Sequence, residues 1–410
     1  MKSTVTVRNF IIIVTIFLLI LSAVLSTKIA PLGYVDELLS LLFLIYLLIL
    51  VSTKFGNLST YEKTLLVGIA CLIFIGFFST IFLEFKNIRF AQVMDALISI
   101  KPLILFTFYY VFSKENTFIN VSFFLRVPLC LILLISTFLG FINQFIDIGM
   151  TSDDTLRFGL KSYEFIMGYS GNYGIFLIAV IFLILGNRNS KMSWVLTILG
   201  CISIIQTTRI QALIFVPMFI FFYLYYKKFR KMNLISSVIV GLLLLVLGNY
   251  QLNVYLLTTD YSPRRIFIEN ALKIANNSFP LGSGYATFGS EMASRYYSPL
   301  YTALGFEGYA KMGRYDGEYL NDTFIAMVLG QFGWIGFLIY YGIFGLILKM
   351  TSKINNSIIH KSLAVSSILT LMIASIGSGI VNTGGGLVLF SVLGLLLSEY
   401  KNGTMNKRAC

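Results

Sequence analysis

Residues 261–290 read YSPRRIFIENALKIANNSFPLGSGYATFGS, and they lie inside a window, 251–321, that interrupts an otherwise near-continuous succession of apolar segments. A chain built in that way puts long apolar helices in a membrane and one large polar loop outside it. The window concentrates most of the chemically capable side chains: Arg264, Arg265, Arg295 and Arg314, the carboxylates Asp260, Glu269, Glu291, Glu307, Asp316 and Glu318, and Tyr285, Tyr296, Tyr297, Tyr301, Tyr309, Tyr315 and Tyr319. Guanidinium groups hold phosphate, carboxylates accept sugar hydroxyls, and flat aromatic faces stack on the C–H side of a pyranose. On composition alone the set fits a grip on a phosphorylated sugar no better than it fits an ordinary solvated loop.

Outside the window the chain is strongly apolar. With 57% hydrophobic and 12% charged residues over 410 positions, and a mean hydropathy of +0.84, it lies beyond the range of soluble domains. Crossing a bilayer as a helix takes about 17 to 25 apolar residues. Such segments recur at 9–27, 35–53, 64–83, 91–112, 119–141, 171–187, 192–208, 210–226, 233–250, 322–348, 361–381 and 384–400. The expected fold is an all-α polytopic membrane protein of about twelve transmembrane helices. It forms a single integral membrane domain over 1–410, with external loops at 142–170 and, between the ninth and tenth helices, at 251–321. The first apolar stretch is followed by Lys28 and Pro31 rather than by a small-residue cleavage site, and reads as a retained helix.

The net charge of +13 is scattered through short loops, which fixes orientation in a membrane and gives no nucleic-acid footprint. Lys2 and Arg8, Lys54 and Lys63, Lys114, Arg188 and Lys191, the run 227–231, Lys349, Lys353 and Lys361, and Lys401, Lys407 and Arg408 alternate to one side. That side is expected to be the cytoplasm, with both termini. Cys71, Cys130 and Cys201 fall in apolar segments and Cys410 is the last residue, so packing rather than disulfides must order the polar window.

Asp95 and Lys101 fall inside the fourth apolar segment. A mid-membrane lysine costs about 2.5–3.5 kcal/mol on insertion scales, so Lys101 needs a partner. Asp95, six positions away, is at the wrong rotation to supply one along the same helix. An interhelical clamp is the favoured reading over a proton relay. Arg126 lies near the cytoplasmic end of the fifth segment and reads as a snorkelling residue.

Within the window, Ser262-Pro263 reads as an N-cap serine and first-turn proline. The helix that follows carries an apolar face of Ile268, Ala271, Leu272 and Ala275. Arginines at 264 and 265 oppose the helix dipole by about 0.3–1 kcal/mol each, which calls for a compensating anion. Phe279-Pro280-Leu281-Gly282-Ser283-Gly284 breaks the helix in a tight turn, and the chain re-enters the membrane through Asn321-Asp322 and a helix with Gly330, Gly333 and Gly336.

Taken together these features resemble the bacterial O-antigen polymerases (Wzy-type) and O-antigen ligases. That family shows an Arg at the start of an outer helix, a proline-glycine turn, and a His-Asn or Asp-Asn pair before an apolar helix with spaced glycines. Arg264 or Arg265, Pro280 to Gly284, Asn321-Asp322 and the three glycines stand here in that order. Thr208-Arg209 is similar to the family's Ser-Arg step, and Arg157-x-Gly159 with Asn172 to the pattern leading into the sixth helix. The resemblance spans roughly 90–350, through short and degenerate motifs. It implies a GT-C-like glycosyltransferase that joins polyprenyl-diphosphate-linked oligosaccharides outside the bacterial cytoplasmic membrane, in capsule or exopolysaccharide synthesis. Its partners would include a flippase and a chain-length regulator, and no cofactor is implied. The ligases carry a histidine where this chain has Asn321, and its single histidine, His360, reads as an ordinary residue of a basic cytoplasmic loop. This favours the polymerase branch.

The residues that would carry the chemistry are Arg209, Arg264 and Arg265 as a clamp on the departing diphosphate, with Asp322, beside Asn321, as the base. Arg157, Tyr285, Arg314, Asp316, Glu318 and Tyr319 would bind substrate. Two of these have a plainer reading: Arg209 as an interfacial anchor and Asp322 as a helix cap. A divalent ion on Asp316, Glu318 and Asp322 is disfavoured for want of a nearby histidine. The rival functions are a ligase and a transporter or flippase of lipid-linked glycans. The latter is disfavoured because no internal repeat is visible and the polar residues gather outside the membrane.

Overall fold

The computed structural model describes residues 6–82, 85–152, 156–187, 190–229 and 262–401, residue 187 by its backbone only. The described residues are helical and contain no strand, only isolated bridges at Thr151–Tyr163 and Arg157–Leu160. In chain order the longer helices are α1 Val7–Leu25, α2 Val35–Lys54, α3 Thr60–Phe82, α4 Arg89–Phe112, α5 Thr117–Phe145, α6 Ser170–Asn187 and α7 Lys191–Gln206. The single turn α8 Ile210–Leu213 leads into α9 Phe215–Lys228. After the undescribed stretch come α10 Pro263–Asn277, the short α11 Glu291–Arg295 and α12 Pro299–Ala303, then α13 Phe324–Met350, α14 Ile358–Gly377 and α15 Gly384–Glu399.

Among the described residues eight helices are long and apolar enough to cross a membrane, α8 and α9 together making one of them, and α6, α7 and α15 are shorter apolar helices. They coincide with the segments expected from the sequence, except that 233–250 lies outside the described residues. The bundle is layered. α15 is buried over nearly its whole length, packed on α4, α6 and α1, as a helix that is apolar all round must be. Outer helices such as α2, α3 and α5 turn side chains like Leu38, Phe74 and Phe138 outward, a surface suited to lipid.

Lys101 is held as a clamp. Its Nζ lies 2.5 Å from Asp36 and 3.0 Å from Glu37, both in the first turn of α2. Asp95 makes a different clamp, accepting from the Ala286 N–H at 2.6 Å and from Gln331 Nε2 at 2.8 Å. The pair therefore forms no relay with each other. Arg126 donates to Ser193 on α7. His360 corrects the expectation of a surface residue: it is buried, with Nδ1 2.6 Å from the Tyr400 hydroxyl and Nε2 2.6 Å from the Gly186 carbonyl oxygen. It falls in the first turn of α14, where its own N–H is capped by Ser357 and its ring reaches the ends of α6 and α15.

Residues 262–321 are a folded cap rather than an open loop. Phe267, Ala271, Phe288, Tyr301 and Phe306 form its core with Ala326 and Leu329 of α13. The cap is locked to a break in α13. Gly333 has φ 64° and ψ −164°, a conformation open essentially to glycine alone, and the break frees carbonyls that a membrane helix must satisfy elsewhere. The Gly330 and Gln331 oxygens accept from the Ser283 and Gly284 amides, each at 2.8 Å. A side chain at Gly282 would stand 2.4 Å from the Gly330 oxygen. The proline-glycine turn and the spaced glycines are thus two halves of one joint.

Candidate functional site

At one end of the bundle a cavity of about 800 Å³ opens between five pieces of chain. The segment before α6 contributes Ser152, Arg157, Gly168 and Tyr169, and the α7–α8 junction contributes Arg209. Residues 262–264 come from the start of α10, and Glu318, Tyr319, Asn321 and Asp322 from the approach to α13. The turn between α14 and α15 adds Ser378, Gly379, Ile380 and Thr383.

Each charged group has a local reason for its position. Arg209 occupies the N-cap of α8, where the chain reverses almost without a loop, and Thr208 before it has φ 52°. Its Nε donates to Ser170 Oγ at 2.7 Å and its Nη2 to Ser152 Oγ at 3.4 Å, while its guanidinium lies 5.0 Å from the Tyr169 ring centre. Hydroxyls and a ring face thus orient the guanidinium at the cavity wall. Arg264 sits in the first turn of α10, one residue after Pro263. Its Nη2 lies 2.9 Å from Asp322 Oδ2, with 16% and 29% of the two side chains exposed. Asp322 is therefore the anion that compensates Arg264 in that first turn.

Asp322 does not cap α13, whose N-cap is Thr323. Burial raises its carboxyl above the usual aspartate range, opposed by the charge and hydrogen bond of Arg264 and by the charge of Arg209. Two cations thus reach one partly buried carboxylate across the cavity.

Several candidates stand elsewhere. Arg265 is half-exposed and pairs with Glu269 at 2.7 Å, because the next residue on a helix points about 100° away. Arg314 lies 6.0 Å from the Tyr297 ring centre. Asp316 accepts from the amides of Lys311 and Gly313 and so closes its own turn. Tyr285 corrects its expected role as a sugar platform: it is fully buried between Phe77 and Phe332, with its hydroxyl donating to the Leu72 carbonyl. Tyr297 and Tyr301 are core residues of the cap as well. Tyr319 and Glu318 do line the cavity, with Glu318 2.7 Å from Lys311 at the rim.

The expected apolar face of α10 is also rotated. Phe267, Ala271, Ile274 and Ala275 are buried, whereas Leu272 is exposed. The α14–α15 turn was not anticipated as a wall. Its signal was the small, polar run Ser378-Gly379-Ile380-Val381-Asn382-Thr383 between two apolar segments, which reads equally well as a plain connector. Among the described residues no three His, Cys, Asp or Glu side chains converge as a metal site would need.

The wall therefore carries Arg157, Arg209 and Arg264 against Glu318 and Asp322. Three guanidiniums around one space suit a polyanion with oxygens on several sides. A search of protein-family models and of curated proteins found no match to this chain.

Proposed function

We propose that this chain is a polysaccharide polymerase that joins polyprenyl-diphosphate-linked oligosaccharide units at the outer face of the bacterial cytoplasmic membrane. The observation that carries the reading is the convergence of Arg157, Arg209, Arg264, Asn321 and Asp322 on one cavity at a bundle end. Those residues come from four separate stretches of sequence. In the reaction, an acceptor hydroxyl oxygen attacks the anomeric carbon of the donor glycan. The bond from that carbon to the diphosphate oxygen breaks, and the lipid diphosphate departs with the electron pair. Arg209 and Arg264 stabilise the charge that builds on it. The hydroxyl proton passes to Asp322, which burial makes a stronger base than a surface aspartate.

The basic short loops support an outward-facing cavity, because the cavity lies at the ends of α13, α14 and α15 opposite Lys349, Lys361 and Lys401. The sole histidine of the chain is buried against Tyr400 and Gly186 rather than beside Asn321, which favours a polymerase over a ligase. Lys101 and Asp95 are both committed to structural clamps, which weakens a transporter reading. The deciding experiment is analysis of lipid-linked glycans in cells lacking the protein. Single repeat units are expected to accumulate. Full-length polymer on the carrier lipid would instead mean a ligase, and units trapped on the inner leaflet a flippase.

A further inference from the structure

A smaller chamber of about 140 Å³ adjoins the main cavity, and Asn321, Gly379 and Thr383 wall both. Its other side is formed by Ser99 of α4, by Ser290 and Glu291 at the start of α11, and by Asn382. Among the described residues no arginine or lysine lines it. Space for one water takes about 10–15 Å³, so this chamber has room for a sugar ring.

Two of its polar groups are left open, while Glu291 pairs with Arg295, Ser290 caps α11 and Thr383 bonds the Ile380 carbonyl. Ser99 is fully buried, and its hydroxyl has no partner among the described residues, although a helical serine ordinarily bonds back to the carbonyl four residues earlier. The Asn382 Oδ1 is buried and unpartnered as well. Buried polar atoms are nearly always hydrogen-bonded, so a donor and acceptor from outside the chain fits them. The main cavity carries three arginines, whereas this chamber offers hydroxyls, two amides and the Glu291 carboxylate, itself paired with Arg295; hydroxyls and amides are partners for uncharged hydroxyls.

We infer that the chamber is an acceptor subsite that takes the terminal, uncharged sugar of the incoming glycan, while the diphosphate of the donor occupies the arginine-lined cavity. A hydroxyl presented past Asn321 faces the main cavity, which the next residue, Asp322, lines. This assignment rests on the polymerase reading and adds to it a division of the two substrates by charge.

The test uses the full chain in lipid nanodiscs and two probes. One is an uncharged repeat-unit oligosaccharide, released from the polymer of the host cell and reduced at its end; the other is a polyprenyl diphosphate. Ser99→Ala removes one hydroxyl, and Asn382→Leu replaces an amide by an apolar group on the chamber wall. Both are expected to weaken oligosaccharide binding by about five- to tenfold, the loss of one or two hydrogen bonds, and to leave diphosphate binding unchanged. Arg264→Lys is expected to do the reverse. Unchanged oligosaccharide binding in both chamber variants would mean that only water fills the chamber, and would overturn the inference. So would an equal loss of both ligands. Wild-type protein that binds the diphosphate but not the oligosaccharide sinks the inference alone; wild-type protein that binds neither sinks the polymerase reading with it.

Discussion

Substituting Gly333 by alanine tests the joint that holds the cap on the bundle. The residue sits at φ 64° and ψ −164°, where a non-glycine residue costs about 1–3 kcal/mol. Its new Cβ would stand 2.2 Å from the Leu281 carbonyl carbon and 2.6 Å from the Gly282 nitrogen. Both are backbone atoms, so no rotamer change relieves the clash. Moving the turn away breaks the bonds from Ser283 to Gly330 and from Gly284 to Gln331, both 2.8 Å. Each buried group left without a partner costs about 1–3 kcal/mol. With partial relaxation the sum is about 3–6 kcal/mol, against a usual total stability of about 5–15 kcal/mol. Gly345 lies on the same helix, and a Cβ there would meet nothing within 4 Å. Gly345→Ala is the control and should stay within about 0.5 kcal/mol of wild type. The assay is the fraction of monodisperse protein that survives a heating series in detergent, read by size exclusion. If Gly333→Ala survives heating as well as Gly345→Ala, the joint does not hold the cap.

Other expectations follow from the site and the clamps. Arg209→Lys and Arg264→Lys should lower polymer made per inserted protein by at least about tenfold, because a lysine cannot bond bidentately. Arg265→Lys, off the cavity and paired with Glu269, should be near wild type; equal activity in all three would remove the clamp. Burial raises the Asp322 carboxyl, so the folded protein holds that proton more tightly than the unfolded chain, whose aspartate titrates near about 3.9. Its contribution to stability is then full below that value and lost as pH rises through the raised one. Polymer formation should rise over the same interval as the base ionises, and Asp322→Asn should abolish the activity limb; an unchanged pH profile would exclude Asp322 as the base. Lys101→Met leaves Asp36 and Glu37 buried without their cation and should cost about 3–5 kcal/mol. Replacing both acids by leucine as well should restore most of the thermal resistance, and no recovery would mean that the lysine acts by some means other than the clamp. Reporter fusions at Glu291 should read external and at Phe229 cytoplasmic, and the opposite result at Phe229 would invert the orientation.

What the sequence determined by itself is what depends on short stretches of chain. The length of an apolar run decides whether it can span a bilayer, and that property survives any arrangement of the helices; the described spans therefore agree with the segments read from sequence. The Ser262-Pro263 start of α10 is local in the same way. The need of Lys101 for a partner from another helix also follows from one buried charge, although nothing in the sequence pointed to Asp36 and Glu37. The tertiary structure alone decided which side chains share the cavity. Arg264 and Arg265 are neighbours with the same chemistry, yet one meets Asp322 and the other Glu269. The choice depends on which face of α10 packs on α13, and the exposure of Leu272 shows that the apolar pattern of α10 did not specify that face. Tyr285 was drawn into the core for the same reason: the turn at 280–284 docks its backbone on the break at Gly333 and carries the next residue inward. Contacts between residues far apart in the chain are set by how whole elements pack, and no local pattern of residue types encodes that geometry.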